Sequence, residues 1–277
     1  MLAPVAFQMF TRAPLGGDMI DDFEPYMSTE QVELFRGYLV TVEAANAESL
    51  ELQAELVAAG ALAEDDNTTL VAITQLNDSW TAVDEDMTDL IDRMENNIDN
   101  YEAVAALPSF DLFPWFFVLP GLVIAALSTS ILWAQRSGGR PTRRLWALLG
   151  VGIAVVLAPA VFQMFTRAPM GRDMIDDFRP MMTRERVQNV QGYFITMGAA
   201  EGQMRTQAAD LAAEAGLGAD AYPAIAEFSA QWPTIVVDFN PMVATMSDNV
   251  DNFAAVDALP VSYTHLRAHE TALRSAD

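Results

Sequence analysis

A chain of 277 residues that is 52% hydrophobic and carries a formal net charge of −23 must keep its apolar and acidic residues apart. Indeed, no aspartate or glutamate occurs between Asp111 and Asp173, where the apolar residues concentrate. The chain has no cysteine and no lysine, which excludes disulfides, thiolate catalysis and cysteine-based zinc sites. Its acidity argues against nucleic acid as a partner, because phosphate binding needs a basic surface.

An internal repeat organises the sequence. Residues 2–23 recur as residues 157–178, with 18 of 22 positions identical. Residues 97–108 recur as 249–260, so the second copy is about three residues shorter. A repeat of this length indicates a duplicated domain rather than a solenoid unit. Since Met1 aligns with the middle of a predicted membrane helix, and the second copy stops just before one, we expect a fragment truncated at both ends.

The first copy begins with a short apolar segment, residues 1–10, which we interpret as a partial transmembrane helix because it covers only about 15 Å. Residues 11–111 are then predicted to form an extracytoplasmic helical domain. Its first long helix is expected to start at Ser28, where Gln31 completes a capping box. The second copy starts at Thr183 but has Arg186 in place of the glutamine.

Apolar residues recur at helical spacing in both copies and predict buried helix faces. The first such face comprises Val32, Phe35, Leu39 and Val42, with Val187, Val190, Phe194 and Met197 in the second copy. The later face comprises Trp80, Val83, Met87, Leu90, Met94, Ile98 and Tyr101, with Trp232, Ile235, Phe239, Met242, Met246, Val250 and Phe253 in the second copy.

These faces predict an all-α protein in which each copy is a small up-down helical bundle. We expect a separate, shorter helix near residues 67–78, ahead of the helix that begins around Trp80. In the second copy, Pro233 and Pro241 suggest a later start or a kink. The methionine and aromatic side chains are interpreted as core packing rather than as a ligand site.

Two long uncharged stretches predict complete transmembrane helices. Residues 112–134 would extend about 34 Å, enough for a hydrocarbon core of about 30 Å, and residues 145–165 form the second span. The alternative for each is a buried core helix. Residues 135–144 between them are arginine-rich and lack acidic groups, which marks a cytoplasmic loop. Residues 166–260, the second domain, would therefore lie outside the cell, as the first does.

The last residues, 261–277, break the pattern of the rest and resemble a translated sequencing adapter. We interpret them as an artefactual tail; the alternative is a natural polar C-terminus. Both histidines of the chain, His265 and His269, lie there. Their helical i,i+4 spacing is therefore not taken as a metal site, because such appended segments are excluded before function is considered.

The most distinctive polar residues are clustered aspartates near the start of each copy: Asp18, Asp21 and Asp22, then Asp173, Asp176 and Asp177. Clustered carboxylates can bind Ca²⁺, but no EF-hand spacing is present, so a solvated acidic helix face is favoured. Two further acidic runs, residues 64–67 and 84–86, are interpreted as surface charge. No catalytic, cofactor-binding or metal-binding residue is assigned.

A membrane helix ending in FQMFTRAP, an acidic DDFxP segment, a helical domain ending in DALP and a second membrane helix resemble uncharacterised actinobacterial integral membrane proteins. The resemblance covers residues 1–260. Members of that family look like one such unit, whereas this chain carries two in tandem. The resemblance implies no known activity and no catalytic residues.

The sequence therefore predicts a non-enzymatic integral membrane protein of the cell envelope. Its outer helical domains would bind envelope proteins or self-associate, with the lipid bilayer as the other partner and no cofactor. The alternative is a sensory or signalling ectodomain of a membrane receptor, which needs a cytoplasmic output domain. A transporter subunit is less favoured because the spans contain almost no polar residues, and a carboxylate-based hydrolase comes last.

Overall fold

The computed structural model describes residues 9–64, 68–138, 142–218 and 221–259, with the side chains of Met9 and Phe113 excepted. Within these ranges the chain is helical and contains no strand, which confirms the all-α class there. Several residues singled out in the sequence lie outside the described ranges: residues 1–8 of the predicted partial span, Asp65, Asp66, Asn67, Arg140, His265 and His269.

The helices follow the repeat. The first copy contains α1 (Met9–Phe23), α2 (Thr29–Ala58), α3 (Val71–Asn96) and α4 (Ile98–Ala105). A 3₁₀ turn at Phe110–Leu112 leads into α5 (Phe113–Arg136), and α6 (Thr142–Val161) follows. The second copy contains α7 (Met164–Phe178), α8 (Arg184–Gln203), a π-helical turn (Met204–Ala208), α9 (Ala209–Glu214) and α10 (Pro223–Asp257).

Both predicted helix starts are confirmed. The Ser28 hydroxyl accepts a hydrogen bond from the backbone N–H of Gln31 at 3.2 Å, and the Thr183 hydroxyl accepts one from the N–H of Arg186 at 3.2 Å. These bonds satisfy one of the N–H groups that a helix start leaves unpaired. The second copy thus keeps the hydroxyl cap although it lacks the glutamine.

The second copy has one extra residue in its first long helix, and the π-helical turn at Met204–Ala208 accommodates it. Before the turn, buried Ala45 corresponds to buried Ala200, 155 residues later. After the turn, Gly60 corresponds to Gly216, 156 residues later, and both glycines end a helix at positive φ, 73° and 75°. A π turn takes up an inserted residue while the helix continues on both sides of it.

The prediction of a separate helix near residues 67–78 is wrong. A single helix, α3, runs from Val71 to Asn96, and the break comes later, at Asn97. No proline or glycine lies within α3 to stop it, and its buried residues Ile73 and Leu76 continue the apolar face of the later stripe. The two predicted helices are therefore one amphipathic helix with a continuous apolar face.

The predicted later start in the second copy is also wrong, since α10 begins at Pro223 and includes both Pro233 and Pro241. A proline inside a helix removes one backbone hydrogen bond and leaves a carbonyl unpaired. Both prolines lie at exposed positions, where the ring does not disturb the packing of the buried face. The helix consequently tolerates them.

The two apolar faces form the core, as predicted. Phe35 on α2 is fully buried and its ring stacks on Phe239 of α10, with 4.1 Å between ring centroids. Phe194 of α8 lies against the same ring at 5.1 Å. Leu39, Trp80, Ile98 and Trp232 are only half-buried, whereas every other member of the four stripes is buried.

Two helices are long and apolar enough to cross a membrane: the segment Phe110–Arg136 that contains α5, and α6. Almost none of their residues is buried within the protein. α6 ends at Val161, four residues before the predicted end of the second span at residue 165. Gln163 has φ of 53°, in the left-handed region, and α7 begins just after it.

The chain forms two compact units, and each takes residues from both copies. One, which we call the helical core unit, consists of residues 22–102 and 176–250. The other, the apolar-helix unit, consists of the described residues within 1–21, 103–175 and 251–277 and contains α5 and α6. In the helical core unit, α3 of the first copy packs against both α2 and α8.

Replacing Phe35 with alanine should lower the free energy of unfolding by about 3–5 kcal/mol, because the stacked ring is removed from a packed core. Val40→Ala on the same helix is the matched control, since Val40 is 58% exposed and its loss should cost no more than about 0.5 kcal/mol. Thermal unfolding in detergent, followed by circular dichroism, measures both. Equal effects of the two substitutions would contradict the packing described.

Candidate functional site

The clustered aspartates lie on α1 and α7, but they do not act alike. Asp18, Asp21 and Asp173 are exposed to solvent. Asp176 forms an ion pair with Arg179 at 2.6 Å, one turn further on. In the part of the chain that the structure describes, no group of three or more histidine or carboxylate side chains is placed to hold a metal ion. The remaining two aspartates have a different role.

Asp22 and Asp177, at equivalent positions in the two copies, each accept a hydrogen bond from a buried asparagine of the opposite copy. Asn249 Nδ2 donates to Asp22 Oδ2 at 2.9 Å, and Asn97 Nδ2 donates to Asp177 Oδ2 at 2.5 Å. The two asparagines are also equivalent, and they are only 1% and 2% exposed. All four residues belong to the helical core unit. We call these two contacts the Asp–Asn nodes.

Each node also ties its asparagine to its own helix. Asn97 Nδ2 donates to the carbonyl of Arg93 at 2.9 Å, and Asn249 Nδ2 donates to the carbonyl of Thr245 at 3.0 Å. Both amide hydrogens are thereby used, one within the helix and one across the copies. An unpaired buried amide would be costly, so the asparagine fixes the position of its partner aspartate.

The nodes differ in one respect, since Arg93 occupies the place of Thr245. The guanidinium of Arg93 contacts Asp89 at 2.9 Å and Asp177 at 3.0 Å. The hydrogen bond to Asp89 is the main cause that raises the pKa of Arg93, and the charges of Asp89 and Asp177 add to it. The node that contains Asn97 therefore includes a cation, at a position where the other copy has Thr245.

A second pair of equivalent contacts joins tyrosines to aspartates across the copies. Tyr38 Oη donates to Asp238 at 2.6 Å, and Tyr193 Oη donates to Asp86 at 2.5 Å. Asp86 also pairs with Arg186 at 2.6 Å, and its side chain is only 13% exposed. The interpretation of Asp86 as surface charge is therefore wrong. Burial first, and then the aspartate hydrogen bond, raises the pKa of both tyrosines to about 12.

A third pair caps helix N-termini across the copies. Glu48 Oε2 accepts from the backbone N–H groups of Ala224 and Ile225, at 2.8 and 3.0 Å. The equivalent residue, Gln203, accepts from the N–H groups of Ala72 and Ile73 through Oε1, at 2.9 and 3.1 Å. These side chains satisfy N–H groups that α10 and α3 cannot pair internally.

The apolar-helix unit shows the same reciprocity. Arg12 Nη1 donates to the carbonyl of Ala258 at 3.4 Å, and the equivalent Arg167 donates to the carbonyl of Ala106 at 2.8 Å. Each arginine thus binds the chain near the end of the opposite copy. Arg12 and Arg167 occupy equivalent positions, so the same contact forms in both directions between the copies.

Together these contacts give part of the polar residues a structural role. In these contacts, five carboxylates bind a helix terminus, a buried amide or a hydroxyl group of the opposite copy: Asp22, Glu48, Asp86, Asp177 and Asp238. The sequence did contain a signal for them, because Asn97, Tyr38 and Asp86 are each identical to their counterpart in the second copy. The repeat alignment does not show which residue each of them contacts, because that residue lies in the opposite copy.

Comparison with protein-family models, with curated proteins and with solved structures finds no match to this chain. The resemblance drawn from the sequence therefore stays a prediction, and the geometry above is the basis for any functional proposal.

The tyrosine–aspartate contacts predict a loss of stability at high pH. The folded pKa of Tyr38 and Tyr193 is raised from 10.0 to about 12, so they stabilise the fold below pH 10. That contribution is lost as the pH rises from 10 towards 12. Replacing both with phenylalanine should lower the melting temperature at pH 8 and weaken its further decline above pH 10.

The decline should not vanish in the double variant, because burial and the hydrogen bond to Glu55 also raise the pKa of Tyr222 to about 12. Tyr26→Phe, between α1 and α2, serves as the control and should leave the melting profile between pH 8 and 11 unchanged. An equal slope above pH 10 in the double variant and the parent protein would contradict the role assigned to Tyr38 and Tyr193.

Proposed function

We propose that this chain is a non-enzymatic integral membrane protein of the cell envelope. Its α5 and α6 segments would anchor it in the bilayer, and its helical core unit would stand outside the cytoplasmic membrane and bind other envelope components. Three features support the proposal. They are the exposure of the two apolar helices, the positive charge of the segment between them, and the polar side chains that join the two copies within the helical core unit.

The exposure of the apolar helices carries the proposal. A core helix of a soluble protein is buried, whereas α6 has no buried residue among its membrane-length window. Full burial of one large aliphatic side chain is worth about 1.5–3 kcal/mol, so exposing many of them to water is prohibitive. The exposed large apolar residues of α6 are Leu145, Trp146, Leu149, Ile153, Val155, Val156, Leu157 and Val161.

Lipid is the solvent that suits this surface. Both helices satisfy most of their backbone hydrogen bonds internally, as a hydrocarbon environment demands, and each contains one interior proline, Pro120 or Pro159, of a kind that membrane helices tolerate. Within α5, Thr129 bonds back to the carbonyl of Ala125 at 2.9 Å, and Ser130 bonds to that of Leu127 at 2.8 Å. Two of the three hydroxyl groups of the span therefore have partners that do not require water.

The orientation follows from charge. Arg136, Arg143 and Arg144 lie at the facing ends of α5 and α6, with no acidic residue between Asp111 and Asp173. Arginines in a short loop favour the cytoplasmic side. The helical core unit is then extracytoplasmic, and its carboxylates greatly outnumber its six arginines.

The helical core unit suits a binding or scaffolding role. Its half-buried polar side chains hold helices of the two copies together through the Asp–Asn nodes, the tyrosine–aspartate contacts and the helix caps. Its exposed surface is acidic, which favours partners with a basic surface and a contact that weakens with salt.

Cysteine labelling tests the anchoring, since the chain has no native cysteine. Ser137→Cys, at the end of α5, and Glu33→Cys, on the exposed side of α2, report the two sides of the membrane. In intact cells, an impermeant maleimide should label Glu33→Cys and not Ser137→Cys, and permeabilised cells should show both. Labelling of Ser137→Cys in intact cells, or recovery of the protein without detergent, would contradict the proposal.

The same outer cysteine, carrying a cleavable photo-cross-linker, tests the binding role in the intact protein. Envelope proteins that cross-link to it at low salt and are lost at high salt would support a binding module. A protein that cross-links to nothing in the envelope from Glu33, or from a second exposed outer site such as Asn189, would count against it.

A further inference from the structure

Many contacts between the two copies are reciprocal. This reciprocity supports an inference beyond the proposed function. In the Asp–Asn nodes, the tyrosine–aspartate contacts, the helix caps and the arginine–carbonyl contacts, a residue of the first copy binds the second copy, and its counterpart in the second copy binds the first. The relation holds in both compact units. Reciprocity of this kind is the signature of an isologous, two-fold interface between identical subunits.

In the Asp–Asn and tyrosine–aspartate contacts, both the positions and the residue types are the same in the two directions. Asp22–Asn249 has its counterpart in Asp177–Asn97, and Tyr38–Asp238 has its counterpart in Tyr193–Asp86. A covalent link between copies is not needed to make any of these bonds. Two separate copies could form the same set.

The interior apolar contacts also cross between copies. Phe35 of the first copy stacks on Phe239 of the second, and α3 of the first copy packs against α8 of the second. Ring stacking and helix packing supply the affinity, and the reciprocal polar contacts fix the register in which the copies meet.

We propose that the binding partner of one repeat is another repeat, and that this chain is a covalently joined homodimer whose two halves pair without the covalent joint. The stretch between α5 and α6 holds the halves at a high effective concentration, which makes the pairing intramolecular. The interface itself lies in the reciprocal contacts and is complete without that stretch.

Cutting the full-length protein between the two halves tests the proposal. A specific protease site inserted after Ser137, an exposed position at the end of α5, allows the purified protein to be cleaved in detergent into residues 1–137 and 138–277. Size-exclusion chromatography with light scattering should then show one species with the mass of the intact chain. Separate halves would overturn the proposal.

A matched variant shows whether the reciprocal contacts or the apolar helices hold the cleaved halves. Asn97→Leu with Asn249→Leu breaks both Asp–Asn nodes while leaving α5 and α6 untouched. The loss of each node should weaken the pairing of cleaved halves by roughly tenfold, so that they separate on dilution. Uncleaved variant protein should keep its helical circular dichroism, because the joint holds the halves together. Cleaved variant halves that pair as tightly as the parent halves would overturn the assignment of the interface.

Cross-linking reports the same pairing residue by residue. Cleaved protein that carries Thr41→Cys and Gln231→Cys, two half-buried residues whose side chains lie 3.5 Å apart across the copies, should be joined by a short bifunctional thiol reagent into one band of full mass. Each single-cysteine variant should give two half-size bands. Joining into bands larger than the full chain, or no joining in the double variant, would contradict the pairing of these two residues.

Discussion

Buried amides that bind carboxylates of the opposite repeat are the constraint on which the helical core unit depends. Asn97 and Asn249 are almost fully buried, and each uses one amide hydrogen on its own helix and the other on an aspartate from the other copy. A buried amide tolerates no mismatch, because an unpaired polar group costs about as much as several apolar contacts give. The nodes therefore select one register for the pairing of the copies.

The apolar residues pack together in this register, but they do not select it. Phe35, Phe194 and Phe239 form a cluster in which large rings of three helices meet. Apolar surfaces pack in many ways, whereas the caps given by Glu48 and Gln203 fit only one placement of α3 and α10. The same duplication thus supplies both the hydrophobic faces and the polar contacts that align them.

Much of the fold could be read from the sequence because helical periodicity and capping are local properties. The stripes beginning at Val32 and Trp80, and the caps at Ser28 and Thr183, needed only residues within one or two turns. The boundaries were less certain: Asn97, rather than a loop near residue 79, ends α3, and Gln163 ends the second apolar helix through its backbone conformation. Tertiary packing decides where such helices end, and local sequence patterns carry no information about tertiary packing.

The pairing of the copies could not be obtained in this way. Asp86 looks like surface charge until Tyr193 and Arg186, about a hundred residues away, are placed beside it. Likewise, the aspartates near the start of each copy look like a solvated or cation-binding face. Asp18 and Asp22 are both exposed, but Asp22 also accepts a hydrogen bond from buried Asn249 of the opposite copy. A repeat alignment shows which positions stay the same, and only the three-dimensional arrangement shows that their partners lie in the opposite copy.

A set of double-mutant cycles measures this central relation directly. Removing Asn97 and Asp177 together should cost less than the sum of the single removals, with a coupling free energy of about 0.5–3 kcal/mol, and Asn249 with Asp22 should behave in the same way. The pairs within one copy, Asn97 with Asp22 and Asn249 with Asp177, should show no coupling beyond the error of the measurement. Coupling within each copy and none between the copies would contradict the reciprocal pairing.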